Sequence, residues 1–446
     1  MTIAKNIILG RIKPMKKNKL LRGLCVLTAA LILGLTGCAN GSDTNGSDAQ
    51  SQADTAEVQS AWTELDQTTI TKEMGMGWNL GNQLEASNAG IPSETTWGNP
   101  TISEDLIKAV KEQGFKTVRI PVSYLDKIGA APDYTIDSAW LDRVQEVVDY
   151  VVGNDLYAII NIHGDGYYTV DKSWLRCVDD NQDEIKDKYE KVWAQIADRF
   201  KDYDQHLIFE SMNEEFNNDY GKPDEKAYDN INAYNQIFVD SVRATGSNNE
   251  KRWLLLPGWN TNIDYTAGDD YNFKIPTDNG CKADGKRIMI SVHYYDPFNF
   301  TIDENKTAKT QWGKYAVKNY DNWGQEDYVD SQMALLNEKF VSQGYPVVIG
   351  EFGAQDKTEK FADYNKFRRY WAEYLIKAAK KNGVVCVYWD NGYNGNKGFG
   401  IINRFDYTIT QPDLIAGMMR AINSTDDYEI PSPAGYTEVR KSAKAS

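Results

Sequence analysis

The stretch Leu207-Ile208-Phe209-Glu210-Ser211-Met212-Asn213-Glu214 follows a charged, helix-like segment, opens as an apolar run of strand length and closes on a polar tip, Asn213-Glu214. A parallel α/β protein keeps its chemistry at the C-terminal ends of its buried strands. A second strand, Tyr345-Pro346-Val347-Val348-Ile349-Gly350-Glu351, ends the same way. Either Glu alone is equally well read as a solvated loop residue or half of an ion pair, because strand tips are polar in any case. Two such carboxylates, far apart in sequence, point to one reaction that needs both.

Working outward from these strands, a β-then-α alternation fills most of the chain. Met74 to Trp78, Thr117 to Ile120 and Leu156 to Ile162 read as the first three strands, and Arg252 to Leu256 as the fifth. Ile288 to Val292, Val347 to Ile349 and Val384 to Tyr388 read as the sixth to eighth. Between them lie helical patterns. Ser103-Glu104-Asp105 caps one that buries Leu106, Ile107 and Val110; Trp140, Leu141, Val144, Val147, Val148 and Val151 recur at helical spacing in the next. Glu184 to Phe200, Tyr228 to Arg243, Asp330 to Gln343, Phe361 to Asn382 and Pro412 to Ile422 continue the series. Eight such units predict an α/β protein of the (β/α)8 TIM-barrel class with one catalytic domain. A doubly wound open sheet would show a Gly-rich turn opening directly into a helix; Gly75-Met76-Gly77-Trp78-Asn79 runs instead into a long loop.

The ends of the chain read differently. Met15-Lys16-Lys17-Asn18-Lys19 is a basic segment, Leu24 to Leu35 is apolar, and Leu35-Thr36-Gly37-Cys38 closes on small residues and a cysteine. This is the pattern of a bacterial lipoprotein signal over residues 1–37, with Cys38 lipidated; Met15 is a second candidate start. A plain secretory signal is the rival reading. Residues 38–60 form a Gly/Ser/Asp-rich tether, 61–425 the barrel, and 426–446 a frayed tail. The expected location is extracellular, at the membrane through the lipid anchor only.

Composition narrows the partners. A formal charge of −15 and a pI near 4.8 argue against nucleic acid. Past the signal, only Cys177, Cys281 and Cys386 join Cys38, too few for a disulfide framework. Three histidines and no CxxC give no expected metal site, and no cofactor is implied. The 12 Trp and 27 Tyr fill a large core or stack on sugar faces; Trp259 and Trp174 are the candidate subsite aromatics.

The strand tips carry Arg119, His163, Asn213-Glu214, His293 with Tyr295, Glu351 and Trp389, which a barrel would bring to one mouth. Glycoside hydrolysis needs this mixture: one carboxylic acid for the leaving oxygen, one carboxylate for the oxocarbenium-like carbon, and a cation to keep them different. Each residue also has a structural reading, as an interior bridge, a loop cap or core.

The motifs Gly77-Trp78-Asn79-Leu80-Gly81-Asn82, Val118-Arg119-Ile120-Pro121, Asn161-Ile162-His163, Met212-Asn213-Glu214, Val292-His293-Tyr294-Tyr295, Gly350-Glu351-Phe352-Gly353 and Trp389-Asp390-Asn391-Gly392 resemble glycoside hydrolase family 5, the cellulase family. The resemblance spans Met74 to about Arg404. It implies retaining hydrolysis, with Glu214 as acid/base and Glu351 as nucleophile. It further implies Arg119 and Tyr295 as supports of the nucleophile, His163 and His293 as ligands of the sugar or acid/base, Asn213 as partner of the 2-hydroxyl, and Trp389 as platform. Two features depart from many cellulases: Gly164 follows His163 where a second His is common, and Gln83-Leu84-Glu85 replaces Thr-Leu-Asp. The expected function is a monomeric endo-β-1,4-glucanase acting on cellulose-like glucan, mixed-linkage glucan or xyloglucan. The alternatives are a mannanase or xylanase on the same scaffold and a non-catalytic glycan-binding lipoprotein. A metal hydrolase on the same barrel would need ligands the chain lacks.

Overall fold

The computed structural model describes residues 62–217 and 221–439. The signal segment, Cys38 and the tether lie outside them. Eight parallel strands close into a barrel: β1 (Met76–Asn79), β2 (Thr117–Ile120), β3 (Tyr157–Asn161), β4 (Leu207–Glu210), β5 (Leu254–Pro257), β6 (Ile288–Tyr294), β7 (Val347–Phe352) and β8 (Val384–Tyr388). Each pairs with its sequence neighbour, and β8 pairs back with β1. The first strand is shorter than expected. Met74 ends helix α1 (Gln67–Met74), and Gly75 turns the chain at φ +50°, a conformation that costs other residues more.

Helices α2 (Glu104–Glu112), α3 (Ser138–Val152), α4 (Gln182–Arg199), α5 (Glu225–Ala244), α6 (Glu326–Lys339), α7 (Tyr364–Lys381) and α8 (Pro412–Asn423) alternate with the strands. After β5 only the short helix Ile263–Ala267 stands in the helical position. The Ser103 hydroxyl caps α2 by accepting from the Leu106 amide, and the apolar stripe of α3 is buried as its spacing requires.

Strand residues alternate between two apolar clusters. Ile159, Ile208, Leu255, Met289, Val348, Val385 and Val387 form one inside the barrel, closed by Leu65, Ile70 and Met74. Their neighbours Ala158, Ile160, Leu207, Phe209, Leu254, Leu256, Ile290 and Ile349 join the larger cluster with the helices. This alternation is the period of a strand, with one face turned to the barrel interior and the other to the helix layer. Cys386 is a buried free thiol, as its apolar surroundings suggest, and Cys177 and Cys281 are also unpaired.

The expected frayed tail is corrected for residues 426–439. Arg369 on α7 donates to the Pro431 and Ser432 carbonyls at 2.8 and 3.1 Å. Tyr436 meets Phe367 edge-on at 4.7 Å, and its hydroxyl donates to Asp363. The tail's Ser/Pro composition hides these aromatic and carbonyl anchors.

Candidate active site

The interior parity of each strand determines what reaches the barrel mouth. Counting outward from the interior cluster in steps of two leads from Ile159 to Asn161 and His163, and from Ile208 to Glu210. The same count leads from Met289 to Ser291, His293 and Tyr295, and from Val387 to Trp389. On β7 it fails: Val348 faces in, so Gly350 would face in and Glu351 out. The register of β7 against β6 shifts between Ile349 and Glu351, so that Val292 pairs with Ile349 and His293 with Glu351. The same shift occurs against β8. This β-bulge at Gly350 re-aims the carboxylate into the mouth. The bulge residue is close-packed: a Cβ on Gly350 would lie 3.2 Å from His293 Nε2 and 3.3 Å from Ser291 Oγ.

Arg119, fully buried on β2, ties the site together. Its guanidinium donates to Glu210 at 2.7 Å, Glu351 at 2.8 Å, Asn213 Oδ1 at 2.7 Å and Asn79 Oδ1 at 3.0 Å. Burial opposes its charge, but the carboxylates of Glu210 and Glu351 outweigh burial and raise its pKa, so it is a permanent cation. Glu210 is held in turn by Asn161 Nδ2 at 2.9 Å and Ser291 Oγ at 2.7 Å.

Glu214 and Glu351 face each other across His293. Nδ1 of His293 lies 2.7 Å from Glu214 Oε1 and 3.6 Å from Glu351 Oε2. One oxygen of each carboxyl and one ring nitrogen of His293 lie within 4.8 Å of one another. Tyr295 donates its hydroxyl to Glu351 Oε2 at 2.9 Å, and Tyr167 donates to Glu214 Oε2 at 3.1 Å. Burial raises the Glu351 carboxyl above the usual carboxylate range; His293 and Arg119 pull it down, Glu214 pushes it up, and the Tyr295 hydroxyl lowers it. Two carboxyls this close share protons as a pair, and the guanidinium beside Glu351 makes that side the place for the anion. The same guanidinium supplies the positive charge that a metal ion among these three side chains would bring.

The remaining predicted residues fall into place around this pair. His163 is driven well below its ordinary pKa by burial, by Arg119 and by His293, so it is neutral, and its Nε2 lies 4.0 Å from Glu351. Its ring stacks parallel to Trp389 at 6.0 Å. Gly81 permits this placement, since a Cβ there would lie 2.8 Å from the Trp389 ring and from the Asp390 carbonyl. Asn213 spends its oxygen on Arg119 and one amide hydrogen on the Tyr167 hydroxyl at 2.8 Å. The departure at Gly164 has a steric cause: a Cβ there would lie 2.6 Å from Ser123 Oγ.

A cleft of about 410 Å³ opens over the pair, lined by His163, Tyr167, Glu214, His293, Tyr295, Glu351 and Trp389, with Trp97, Phe298 and Phe399 among its aromatic walls. The two aromatics expected at subsites are elsewhere. Trp259 is fully buried, its indole N–H donating to the Gly221 carbonyl, and has no face for a sugar. Trp174 donates to buried Asp165 at 2.7 Å and lies beneath Lys188, outside the cleft. Sequence reading missed Asn79, Glu210 and Tyr167. The available signal was a charged or polar residue at interior parity in an apolar strand, as at Glu210. Glu85, one of the noted departures, also lines the cleft; its carboxyl accepts from the Asn82 and Gln83 amides, and burial pushes its pKa up to about 7.

Comparison with known proteins agrees with this geometry. The sequence profile of cellulase (glycosyl hydrolase family 5) matches residues 79–395. The chain belongs to glycoside hydrolase family 5. Endoglucanase A of Paenibacillus barcinonensis is 55% identical over 359 residues, covering 79% of this chain and 89% of that protein. A family 5 xyloglucanase from Paenibacillus pabuli, solved with ligand, superposes with a TM-score of 0.78 at 55% identity, covering 79% of this chain and 100% of its own. A Bacteroides ovatus family 5 xyloglucanase bound to a heptasaccharide superposes at 0.73 with 35% identity, over 81% and 78% of the two chains. As a family 5 member the protein is a glycoside hydrolase on a (β/α)8 barrel.

The support of Glu351 by Tyr295 has a measurable consequence. The hydroxyl bonds the ionised carboxylate and so lowers its pKa; Tyr295→Phe removes that donor and lets burial raise it further. The acidic limb of kcat/KM should therefore move to higher pH. An unmoved limb would show that Tyr295 does not hold the charge on Glu351.

Proposed function

We propose that this glycoside hydrolase is a retaining, endo-acting β-1,4-glucanase in which Glu351 is the nucleophile and Glu214 the acid/base. One oxygen of Glu214 and one of Glu351 lie within 4.8 Å of each other, and this short approach carries the reading. Double displacement uses carboxyls about 5–5.5 Å apart, whereas inversion needs roughly 6.5–9.5 Å to admit a water between them. In the first step a Glu351 oxygen bonds to the anomeric carbon as the glycosidic bond breaks, and Glu214 passes its proton to the leaving oxygen. In the second, Glu214 takes a proton from water, the water oxygen bonds to the same carbon, and the ester to Glu351 breaks. Arg119 and Tyr295 hold Glu351 as an anion before attack and stabilise it again as a leaving group. Neutral His163 and the spare amide hydrogen of Asn213 are donors available to sugar hydroxyls, and Trp389 supplies an apolar face.

The β-1,4-glucan class is supported by relatives that carry the names endoglucanase and xyloglucanase at up to 55% identity. On hydroxyethylcellulose, mixed-linkage glucan and xyloglucan, viscosity should fall quickly with little early rise in reducing ends. Early release of single glucose units would exclude endo action, and preferential cleavage of mannan or xylan would move the substrate class.

The nucleophile assignment is tested by chemical rescue. Glu351→Gly should lose at least ~10³-fold in kcat because no glycosyl-enzyme forms. Azide filling the hole should restore turnover of an activated glycoside and give the α-glycosyl azide. Glu214→Ala should still form the intermediate from a good leaving group and yield the β-azide. Azides of one anomeric form from both variants would break the assignment.

We also propose that the enzyme lies outside the cell as a lipoprotein, from the basic and apolar segments that lead to Cys38. Cys38→Ala should release it from the membrane fraction with unchanged specific activity. Equal membrane retention of the variant would refute the anchor.

A further inference from the structure

Large aromatic side chains are costly to leave in water, and few of them stand exposed among the described residues: Phe298, Trp323, Tyr393 and Phe405. Trp323, 48% exposed, is the one tryptophan among them. It sits between β6 and α6, three residues before the first residue of α6. Loops that join a strand's C-terminal end to the next helix lie on the mouth face of a barrel, so the indole stands on the same face as the catalytic tips.

Two contacts join Trp323 to the cleft wall. Its ring meets Tyr328 edge-on, at 5.6 Å and 86°, and the Tyr328 hydroxyl faces the Asp296 carboxyl, which lines the cleft. The main chain beside it presses on Pro297: a Cβ on Gly324 would lie 2.9 Å from that ring, and φ of +68° suits glycine there. Pro297 precedes Phe298, which lines the cleft and is 42% exposed. The aromatic wall therefore continues outward from Phe298, over Pro297, to an indole whose orientation Tyr328 fixes.

A lone exposed tryptophan needs no explanation on its own. An oriented one continuous with a polysaccharide cleft has a specific chemistry, because the C–H face of a pyranose packs on a flat ring and its hydroxyls stay in water. We propose that Trp323 is an outer sugar-binding platform, holding a glucosyl unit of a β-glucan chain that leaves the cleft past Phe298. The proposal rests on the β-glucanase reading above and extends it to chains longer than the cleft.

The test compares long and short substrates. Trp323→Ala should raise KM for hydroxyethylcellulose roughly three- to tenfold, with kcat within about twofold. It should leave both constants for an aryl cellobioside unchanged, because that substrate ends before the platform. Trp323→Phe, which keeps a flat face, should recover most of the polymer KM. An unchanged polymer KM would overturn the proposal, as would equal losses on both substrates, which would mark a structural role. A second measurement separates this from the activity. In a native gel containing hydroxyethylcellulose, glucomannan or xylan, the inactive Glu351→Ala chain should be retarded, and adding Trp323→Ala should weaken the retardation. Retardation that depends on Trp323 in glucomannan or xylan alone would support the platform while overturning the glucan reading. Retardation in none of them, or retardation indifferent to Trp323, would overturn the platform.

Discussion

A guanidinium buried at the centre of a barrel is the constraint on which the rest of this site depends. An isolated ion at that depth would cost several kcal/mol in lost hydration. Arg119 is tolerated because two carboxylates and two amide oxygens, from β1, β7 and the end of β4, surround it. Glu210 is essential to that balance. In the proposed double displacement Glu351 loses its charge when the glycosyl ester forms, and without Glu210 the cation would then have no carboxylate partner. Glu210, anchored by Asn161 and Ser291, holds the guanidinium in place independently of Glu351.

The second constraint is geometric. A regular β7 would bury Val348 and Gly350 inside the barrel and turn Glu351 towards the helices, where Ile349 and Phe352 lie. The bulge at Gly350 changes the parity by one residue and returns Phe352 to the outer layer. The absence of a side chain at Gly350 lets His293 and Ser291 close over it, and its carbonyl accepts from Asn79. One inserted residue thus aims the carboxylate and seats the histidine that bridges it to Glu214.

Most of the barrel is legible in the sequence because its signals are local. The helical stripe of α3 and the apolar runs of β4 and β8 each announce themselves within a few residues. The strand-tip residues are legible for the same reason, since position at the end of a strand is a local property. What local pattern cannot express is which face a residue takes after an irregularity, and which distant groups it meets. The bulge at Gly350 was therefore invisible, and Glu210 read as one more residue of its strand. Tyr167 lies in a loop whose path is set by Asp165 accepting from the Tyr124 and Leu125 amides, a contact across some forty residues of sequence. Tryptophans mislead for a related reason. Trp259 and Trp97 have the same composition-level meaning, yet one is sealed in the core and the other lines the cleft.

The protonation states around the pair restrict where a proton can travel. Arg119 is charged throughout, pinned by Glu210. His163 is held neutral by burial and by the cation beside it. Tyr295 keeps its phenolic proton, because burial and the neighbouring carboxylates push its pKa well above the ordinary value. Each of these groups can orient or stabilise, and none can exchange a proton with the substrate at neutral pH. Beside them lie Glu214 and Glu351, bridged by His293, the pair to which the proposed double displacement assigns proton transfer and attack. Arg119 stands beside Glu351, whereas the Glu214 carboxyl is held by Tyr167 and His293 and lines the open cleft. The proposed division of labour between two identical side chains rests on which of them stands beside the buried arginine.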